Sequence, residues 1–592
     1  MLRKLIVLLI TAVMVLGSAF SAYAAPEEGD SAQEQTQSGE SAGAEGDSED
    51  GESGGESSGG SEGEMMNATT ADITTALPVQ YIVIPAEGEQ KELGYVEGTT
   101  ILEADGLKFK DLNSNGSLDA YEDWRKTDGE RIADLLSQMT VEEKSAMLFQ
   151  ADLPRVLGES EADGLETIWN YMVTYGATHF LNNNWSGTPD QMTHLHNNVQ
   201  KIAEGMRLGI PATITSDRQY NVWAGYTDTA HDAFATANDV EMSYQLWKHN
   251  AAEAKAVGIN VVLQPYGVEI GAWNGENPEY IAKMISAEVE ALYSEDLYAC
   301  VKHFITRGGD SSFSAARSKA ENIENYLYCW QAAIDAGAQW IMTNGTGVGN
   351  LTIDYDPVSM SILRDTLGYD GVVITDWGAI NTGASGILPD GTDLAQTNLV
   401  ERYGLMISNG VDQIGINNLT LDESKAAGNC YWMPGMAQAV NEGLLSMERL
   451  DEACTRLLRT KFGQGLFENP YHDPAYALEL AASAEYIAEP WEITTVEELN
   501  AARNSEVVEL ERLLQIESAV LVKNDNILPL STDQKVYIDS TNTSALDQYR
   551  ERIAQIAAVA DTMDAADVVV ADITQLNDAA ELIVEDAVEA GK

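Results

Sequence analysis

Residues 368–378 read GYDGVVITDWG, and this stretch decides the fold that the sequence predicts. Three apolar, β-branched residues at positions 372–374 follow a glycine-containing turn and lead to Asp376 and Trp377. A short run that is apolar on both faces is typical of a strand buried in a parallel sheet. In barrels of parallel strands the chemistry lies at the carboxyl ends, which is where Asp376 and Trp377 would stand. Asp376 is therefore a candidate nucleophile, and the alternative is that it only caps the helix that follows.

Short apolar strands alternate with amphipathic helices over residues 126–467. The strand candidates lie at 178–181, 212–215, 260–263, 299–304, 340–342, 372–375 and 413–416. This alternation predicts βα units and a parallel sheet, and roughly 340 residues of it suit one α/β fold, a (β/α)8 TIM-like barrel with insertions. A doubly wound sheet is the alternative, although no GxGxxG turn opens a βαβ unit here.

The 592-residue chain is too long for one core, so we expect several segments. Residues 1–24 carry Arg3 and Lys4 before an apolar run and end in Ala22-Tyr23-Ala24, which is typical of a secretory signal peptide and predicts a secreted, extracellular protein. The other predicted segments are an acidic, Gly/Ser/Glu-rich disordered linker at 25–75, an N-terminal extension at 76–125, the barrel at 126–467, a linker at 468–504 and a partial α/β sandwich domain at 505–592.

Charge and cysteine content exclude several classes of partner and site. With 34 basic and 94 acidic residues the formal net charge is −60, which argues against nucleic acid or an anionic membrane as partner. After the signal peptide no apolar stretch is long enough to span a bilayer, so we predict no membrane insertion after cleavage. The four cysteines lack CxxC or CxxH spacing and predict neither a disulfide scaffold nor a zinc site.

Residues 111–122 read DLNSNGSLDAYE and match the calcium loop of an EF-hand. Calcium prefers oxygen ligands at alternate positions, a glycine at the sixth position and a glutamate at the twelfth. The predicted ligands are Asp111, Asn113, Asn115, Ser117, Asp119 and Glu122. We expect a structural calcium ion here and no cofactor for catalysis, and the alternative is a metal-free turn.

Four stretches, taken in order, resemble glycoside hydrolase family 3, the family of β-glucosidases and β-xylosidases. They are RLGIPATITSD at 207–217, KHF at 302–304, GYDGVVITDWGA at 368–379 and the text of a closing helix at 443–467. The resemblance implies that Asp376 is the nucleophile and that Asp217, Lys302 and His303 bind hydroxyls of the terminal sugar. Trp377 would provide a flat apolar wall for a sugar ring. Because neighbouring strand residues point to opposite faces, Lys302 and His303 can reach one ligand only if the backbone is irregular there.

The resemblance implies an exported, retaining glycoside hydrolase that removes terminal β-linked sugars from oligosaccharides, as a β-glucosidase does. Its partner would be the oligosaccharide or β-glycoside substrate. Lys302, if close to Asp376, would keep that carboxylate ionised.

The chain departs from the family pattern at three places. Retaining enzymes need a second carboxyl group about 5 Å from the nucleophile, and in β-glucosidase-type members it is a glutamate on a loop of the second domain. No residue after the strand candidate at 566–571 matches it, the family's PRWGR text is missing after Pro265, and Gly345 stands where many members carry a tyrosine. Two alternatives follow: a catalytically impaired carbohydrate-binding protein that lacks the acid/base residue, or a chain whose missing loop lies beyond Lys592 or on another chain.

Overall fold

The computed structural model describes part of the chain. The described residues are 79–153, 166–182, 187–217, 233–234, 236–265, 277–305, 319–345, 347–348, 351–382, 386–416, 432–482, 505–518, 533–540, 546–572 and 582–583. The predicted signal peptide, the predicted acidic linker and most of the predicted 468–504 linker lie outside these residues.

Two antiparallel strand pairs precede the barrel. Strand β1 (Tyr81–Ile84) pairs with β2 (Leu93–Val96), and β3 (Thr100–Ala104) pairs with β4 (Leu107–Asp111). The predicted N-terminal extension is therefore two hairpin-like pairs followed by the loop at 111–122.

Eight parallel strands form the barrel. They are β5 (Phe149–Asp152), β6 (His179–Leu181), β7 (Thr213–Ser216), β8 (Val261–Val262), β9 (Tyr298–Phe304), β10 (Trp340–Thr343), β11 (Val372–Thr375) and β12 (Ile414–Ile416). They pair in the order β11–β10–β9–β8–β7–β6–β5–β12. A bridge between Ile374 and Gln413 brings β11 back to the start of β12, so the sheet is nearly closed. The predicted TIM-like barrel is confirmed, and the doubly wound alternative is wrong.

Helices alternate with these strands and cover the outside of the sheet. In chain order they are α1 (Asp128–Gln138), α2 (Val141–Met147), α3 (Pro189–Glu204), α4 (Val240–Ala256), α5 (Pro278–Tyr293), α6 (Lys319–Asp335), α7 (Pro357–Ser361), α8 (Ala379–Thr382), α9 (Leu399–Ser408), α10 (Trp432–Asn441), α11 (Met447–Gly463) and α12 (Pro474–Ala481). Helix α2 begins with the capping box that the sequence shows, in which Thr140 and Glu143 satisfy each other's backbone N–H groups.

The barrel strands are buried on both faces, as their sequences predict. Val372, Val373 and Ile374 have no exposed surface, and all seven residues of β9 are buried. One face of each strand fills the barrel interior and the other packs against the helices, so both faces must be apolar.

Strand β9 has an irregular carboxyl end. Its ladder with β10 pairs Met342 with Lys302 and then Thr343 with Phe304, so His303 is an extra residue in β9. The extra residue breaks the alternation of side chains between the two faces. The irregular backbone predicted for the KHF segment is therefore present.

The amino end of the barrel holds two fully buried charges. The Lys461 ammonium of α11 donates to the carbonyl oxygens of Thr178 and Pro211 and to the hydroxyl of Thr213, at 2.8–3.1 Å. Burial holds the pKa of Lys461 well below its usual value. The Asp412 carboxylate, just before β12, lies within 2.6–3.1 Å of three arginines. They are Arg364, Arg449 and Arg456.

The segments that enter and leave the barrel meet at Glu468. Its carboxylate pairs with Arg131 at 2.6 Å and with Lys91 at 3.0 Å, and its carbonyl oxygen accepts from the N–H of Gly94 at 3.0 Å. We call these contacts the Glu468 junction. It ties the N-terminal extension to the segment between α11 and α12.

The described part of the C-terminal region contains a helix and a small parallel sheet. Helix α13 (Ser505–Glu517) packs Val507 and Leu514 against α4 and α5 of the barrel. The sheet has β13 (Lys535–Ser540) between β14 (Ala558–Val559) and β15 (Val568–Asp572), with helix α14 (Leu546–Ile553) beside it. The helix that opens the predicted C-terminal domain thus packs on the barrel.

Candidate active site

Asp376 lies directly beyond β11, at the carboxyl end of the barrel. Its backbone N–H donates to the carbonyl oxygen of Thr343, the last residue of β10, at 3.0 Å. One carboxylate oxygen accepts from the backbone N–H of Trp377 at 2.7 Å, and the other accepts from the side-chain amide of Asn344. Helix α8 begins at Ala379, so the residue before it is Gly378 and Asp376 does not hold the capping position.

Three other predicted site residues, His303, Lys302 and Asp217, lie with Asp376 at the carboxyl end of the barrel. His303 places Nε2 3.5 Å from Oδ2 of Asp376, and the Lys302 ammonium forms an ion pair with Asp217, which follows β7. The Lys302 and His303 side chains are almost fully buried, whereas those of Asp217 and Asp376 are 42% and 32% exposed. The site therefore presents two accessible carboxylates, each backed by a buried basic side chain.

Trp377, the fifth predicted residue, forms one wall of the same end of the barrel. Its indole N–H donates to Oδ1 of Asp152 at 3.0 Å, and Asp152 is the last residue of β5. Burial raises the pKa of Asp152, while the hydrogen bond from Trp377 acts in the opposite direction. The sequence analysis missed Asp152. The available signal was an acid that ends an apolar stretch, the same signal that marked Asp376.

A further carboxylate lies behind the site and was also missed. Asp354, in the segment that follows β10, is fully buried and accepts from the Thr343 hydroxyl at 2.5 Å. Burial raises the pKa of Asp354 to about 6, and the negative charge of Asp376 adds to that effect. Thr343 therefore links the two aspartates, because its carbonyl oxygen binds Asp376 and its hydroxyl binds Asp354.

Several segments named in the sequence analysis lie outside the described residues. They include the departure from PRWGR at 266–276, the loop after KHF at 306–318 and the segment after β15 at 573–581. The second carboxyl group of a retaining enzyme is not assigned to a residue.

The predicted calcium loop folds around its own carboxylates. Asp111 accepts from the backbone N–H groups of Asn115 and Gly116, both at 3.0 Å. Oδ2 of Asp119 accepts from the side-chain amides of Asn113 and Asn115, at 2.6 and 2.7 Å. Hydrogen bonds within the loop therefore link Asn113 and Asn115 to Asp119 and Asn115 to Asp111, with Gly116 in the left-handed region at the bend.

Glu122, at the twelfth position, closes this loop. Its carboxylate accepts from the backbone N–H groups of Leu112 and Asp119, at 2.7 and 3.0 Å. Burial raises the pKa of Glu122 to about 7. Carboxylate oxygens such as those of Asp111, Asp119 and Glu122 are ligands that suit a hard divalent cation. Among the described residues no group of three or more His, Cys, Asp or Glu side chains is arranged for a metal. Asparagine and serine oxygens would thus have to complete the loop.

Within the described ranges no helix is both long and apolar enough to cross a bilayer.

Comparison with known proteins places this geometry in context. Residues 140–460 match the model of the glycosyl hydrolase family 3 N-terminal domain. The periplasmic β-glucosidase/β-xylosidase of Dickeya chrysanthemi is 27% identical over 533 residues, which cover 79% of this chain and 76% of that protein. A β-glucosidase structure from Erythrobacter marinus has a TM-score of 0.57 at 22% identity and covers 74% of this chain and 59% of its own. A β-glucoside phosphorylase structure has a TM-score of 0.55 at 15% identity and covers 76% and 83%. The two structures share the fold of this chain.

Proposed function

Because the chain belongs to glycosyl hydrolase family 3, we propose that it removes terminal β-linked sugars from oligosaccharides, as a β-glucosidase does. The family match and the curated relatives place the chain among the glycoside hydrolases. The observation that supports this reaction best is the accessible Asp376 carboxylate at the end of β11, within 3.5 Å of His303. Relatives named β-glucosidase and β-xylosidase suggest a β-glycoside as the substrate.

Asp376 acts as the nucleophile of a retaining reaction. One carboxylate oxygen forms a bond to the anomeric carbon while the bond from that carbon to the leaving oxygen breaks. The leaving oxygen takes up a proton, and water then hydrolyses the glycosyl-enzyme. Asn344 and the N–H of Trp377 hold the carboxylate in place for attack, because each donates to a different carboxylate oxygen.

The buried basic side chains orient the sugar. Lys302 and Asp217 form a salt bridge, and an ammonium and a carboxylate are groups that suit the hydroxyl groups of a pyranose ring. Contacts of this kind with ring hydroxyls can tighten as the ring flattens towards the oxocarbenium-like transition state.

Replacing Asp376 tests the proposal. We expect Asp376→Asn to lower kcat on nitrophenyl β-glycosides by about a thousandfold or more, because a neutral amide does not form the glycosyl-enzyme. Asp390→Asn, which changes an exposed aspartate further along the same loop, is the matched control and retains the parental kcat. Nitrophenyl substrates are chosen because their good leaving groups need little help from an acid.

The products and the covalent state separate this reaction from its rivals. Release of free sugar at the same rate with and without inorganic phosphate supports hydrolysis, and a sugar phosphate would indicate phosphorolysis. A 2-deoxy-2-fluoro glycoside should add one glycosyl mass to Asp376, detected in a peptide digest. If the unmodified chain shows neither turnover nor the adduct on a panel of β-glycosides, the proposal is wrong and a binding role remains.

Two further properties are proposed. Export is supported by the sequence of residues 1–24 and by the name of the periplasmic relative. An intact-mass measurement of exported protein should show a start at Ala25, and retention of residues 1–24 would contradict export by this route. One structural calcium ion in the loop at 111–122 is supported by the match of its residues to the EF-hand pattern and by the three carboxylates of the loop, Asp111, Asp119 and Glu122.

A further inference from the structure

The Trp377 indole is held at two points by residues of neighbouring strands. Its N–H donates to Oδ1 of Asp152 at the end of β5, at 3.0 Å. A Cβ at Gly415 of β12 would lie 3.0 Å from Cε3 and 3.1 Å from Cδ2 of the indole. The six-membered ring therefore lies directly on the backbone of β12, in a space that only glycine leaves open.

These contacts occur where the barrel closes. Strand β11 meets the β12 segment through one bridge, and β12 pairs with β5. Trp377 reaches from the end of β11 across Gly415 to Asp152, so one side chain spans all three strands. The ring position is therefore set by the closure of the barrel.

The hydrogen bond also decides which part of the indole can meet a ligand. Asp152 accepts the hydrogen bond of the indole N–H, which is the only polar group of the Trp377 side chain. The remaining accessible surface of the ring is therefore apolar. A carboxylate that accepts a hydrogen bond from the indole N–H also makes the ring face more electron-rich. Such a face attracts the weakly positive C–H groups of a sugar ring, as it attracts cations.

Building on the function proposed above, we propose that Asp152 and Gly415 are positioning residues, which fix the Trp377 indole as a sugar-stacking wall beside Asp376. The ligand class is the apolar face of a pyranose ring. Because the wall contacts the sugar before and during reaction, its loss should weaken binding more than it slows the chemical step.

The first test compares two replacements of Asp152. Asp152→Ala removes the acceptor, and we expect KM for nitrophenyl β-glycosides to rise about tenfold with kcat within threefold of the parent. Asp152→Asn keeps an acceptor oxygen and should return KM to within about threefold. An equal KM for the alanine variant and the parent in an active enzyme would overturn the proposal.

A double-mutant cycle shows whether Asp152 acts through the ring. In a Trp377→Phe background the Asp152→Ala change should have almost no further effect on KM, because phenylalanine has no N–H to be held. A tenfold effect that persists in that background would mean that Asp152 contacts substrate directly. A kcat loss above a hundredfold, largest for poor leaving groups, would make Asp152 the proton donor. Either result overturns the positioning role.

Gly415→Ala disturbs the Trp377 ring independently of Asp152. Its methyl group would press on the six-membered ring from β12, whereas Asp152 holds the N–H from β5. We expect KM to rise several-fold, and less than multiplicatively when combined with Asp152→Ala. Binding is measured by calorimetry with a nitrophenyl β-glycoside on Asp376→Asn variants, so that turnover does not interfere. Weaker binding in both positioning variants supports the proposal, and unchanged binding in both contradicts it. Failure of the proposed function would appear separately, as absent turnover by the unmodified chain.

Discussion

The two ends of the barrel differ in how far their charged side chains are buried. At the amino end Asp412 is fully buried and surrounded by three arginines, and Lys461 is fully buried with three oxygen acceptors. At the carboxyl end the Asp376 and Asp217 side chains are 32% and 42% exposed, beside the buried His303 and Lys302.

The difference separates charges that hold the fold from charges that can act on a ligand. A buried charge whose partners are all in the protein stabilises one arrangement of the chain and cannot reach a substrate. An exposed carboxylate held by a buried partner is oriented and still accessible. A charged residue in a barrel sequence can belong to either class, and its burial in the folded protein decides which.

Removing one aspartate from each end gives the largest expected contrast. Asp412→Asn should lower the free energy of unfolding by about 3–5 kcal/mol, because three arginines lose their buried counter-charge. Asp376→Asn should cost almost no stability while removing turnover. Urea denaturation followed by far-ultraviolet circular dichroism measures the first effect, and nitrophenol release measures the second.

The distinction between the two ends is wrong if Asp412→Asn and Asp376→Asn have the same effects on stability and on turnover. An Asp412→Asn protein as stable as the parent would show that the arginines are satisfied by solvent, and an inactive but fully folded Asp412→Asn protein would give the amino end a role in catalysis. Arg459→Gln is a control, because it changes a half-exposed arginine of α11, the helix that also carries Arg449 and Arg456. It should lower the free energy of unfolding by less than about 1 kcal/mol.

Asp354 allows a smaller and pH-dependent test, because it is a fully buried aspartate at the carboxyl end. Its folded-state pKa of about 6 is raised above the usual aspartate value of 3.8, mainly by burial. A raised carboxyl pKa contributes stability that is complete below pH 3.8 and is lost as the pH rises through 6. Asp354→Asn cannot ionise, so it should be more stable than the parent at pH 7.5, by up to about 3 kcal/mol for two pKa units.

The comparison is made by urea denaturation from pH 4.5 to pH 8. The advantage of Asp354→Asn should shrink steadily as the pH falls, because the parent carboxyl becomes protonated as well. A constant difference at every pH would mean that the substitution acts through packing. Asp365→Asn, a substitution in the segment between α7 and β11, should show no such trend.

Of these changes, calcium binding should have the smallest effect on stability. The effect should be confined to the amino side of the barrel. The loop at 111–122 contacts the segment before β7, where the Tyr121 hydroxyl donates to the Leu208 carbonyl oxygen at 3.3 Å. At a hundredfold excess over its Kd, one bound ion would stabilise the fold by about 2.7 kcal/mol. Thermal melts in calcium and in chelator should differ accordingly, while kcat on nitrophenyl glycosides stays the same.

Variants of the loop decide whether the ion lies there. Asp111→Asn and Asp119→Asn should abolish the calcium-dependent shift in Tm, and magnesium should not replace calcium because it demands tighter octahedral coordination. A shift that survives in both variants would place the ion elsewhere, and no shift in the parent would leave the loop as a metal-free turn.

Much of the fold could be predicted because its signals are local. Short apolar runs buried on both faces predicted seven of the eight barrel strands, with β5 missed, and the Thr140–Glu143 capping box predicted the start of α2. Asp376, His303, Lys302 and Asp217 could be expected together because carboxyl ends of parallel strands meet at one end of a barrel.

The remaining features depend on contacts that leave no local pattern. Asp152 and Trp377 are 225 positions apart in the chain, and only the closure of β5, β12 and β11 brings them together. Asp354 lies in an irregular segment, and its burial follows from the hydroxyl of Thr343 on a different element. The packing of α13 on α4 and α5 likewise depends on side chains that are far apart in sequence.

The Glu468 junction has a mechanical consequence. A pull on the segment before residue 79 reaches β1 and then its partner β2, where Gly94 is bonded to Glu468 and the Lys91–Glu468 pair lies alongside. The load then passes across the junction to the residues after α11, and through the contacts of Val96 and Thr99 with Glu204 to helix α3, before it reaches a barrel strand. An optical-trap experiment that pulls on an N-terminal handle should therefore rupture the extension from residue 468 as a separate event before any barrel strand extends.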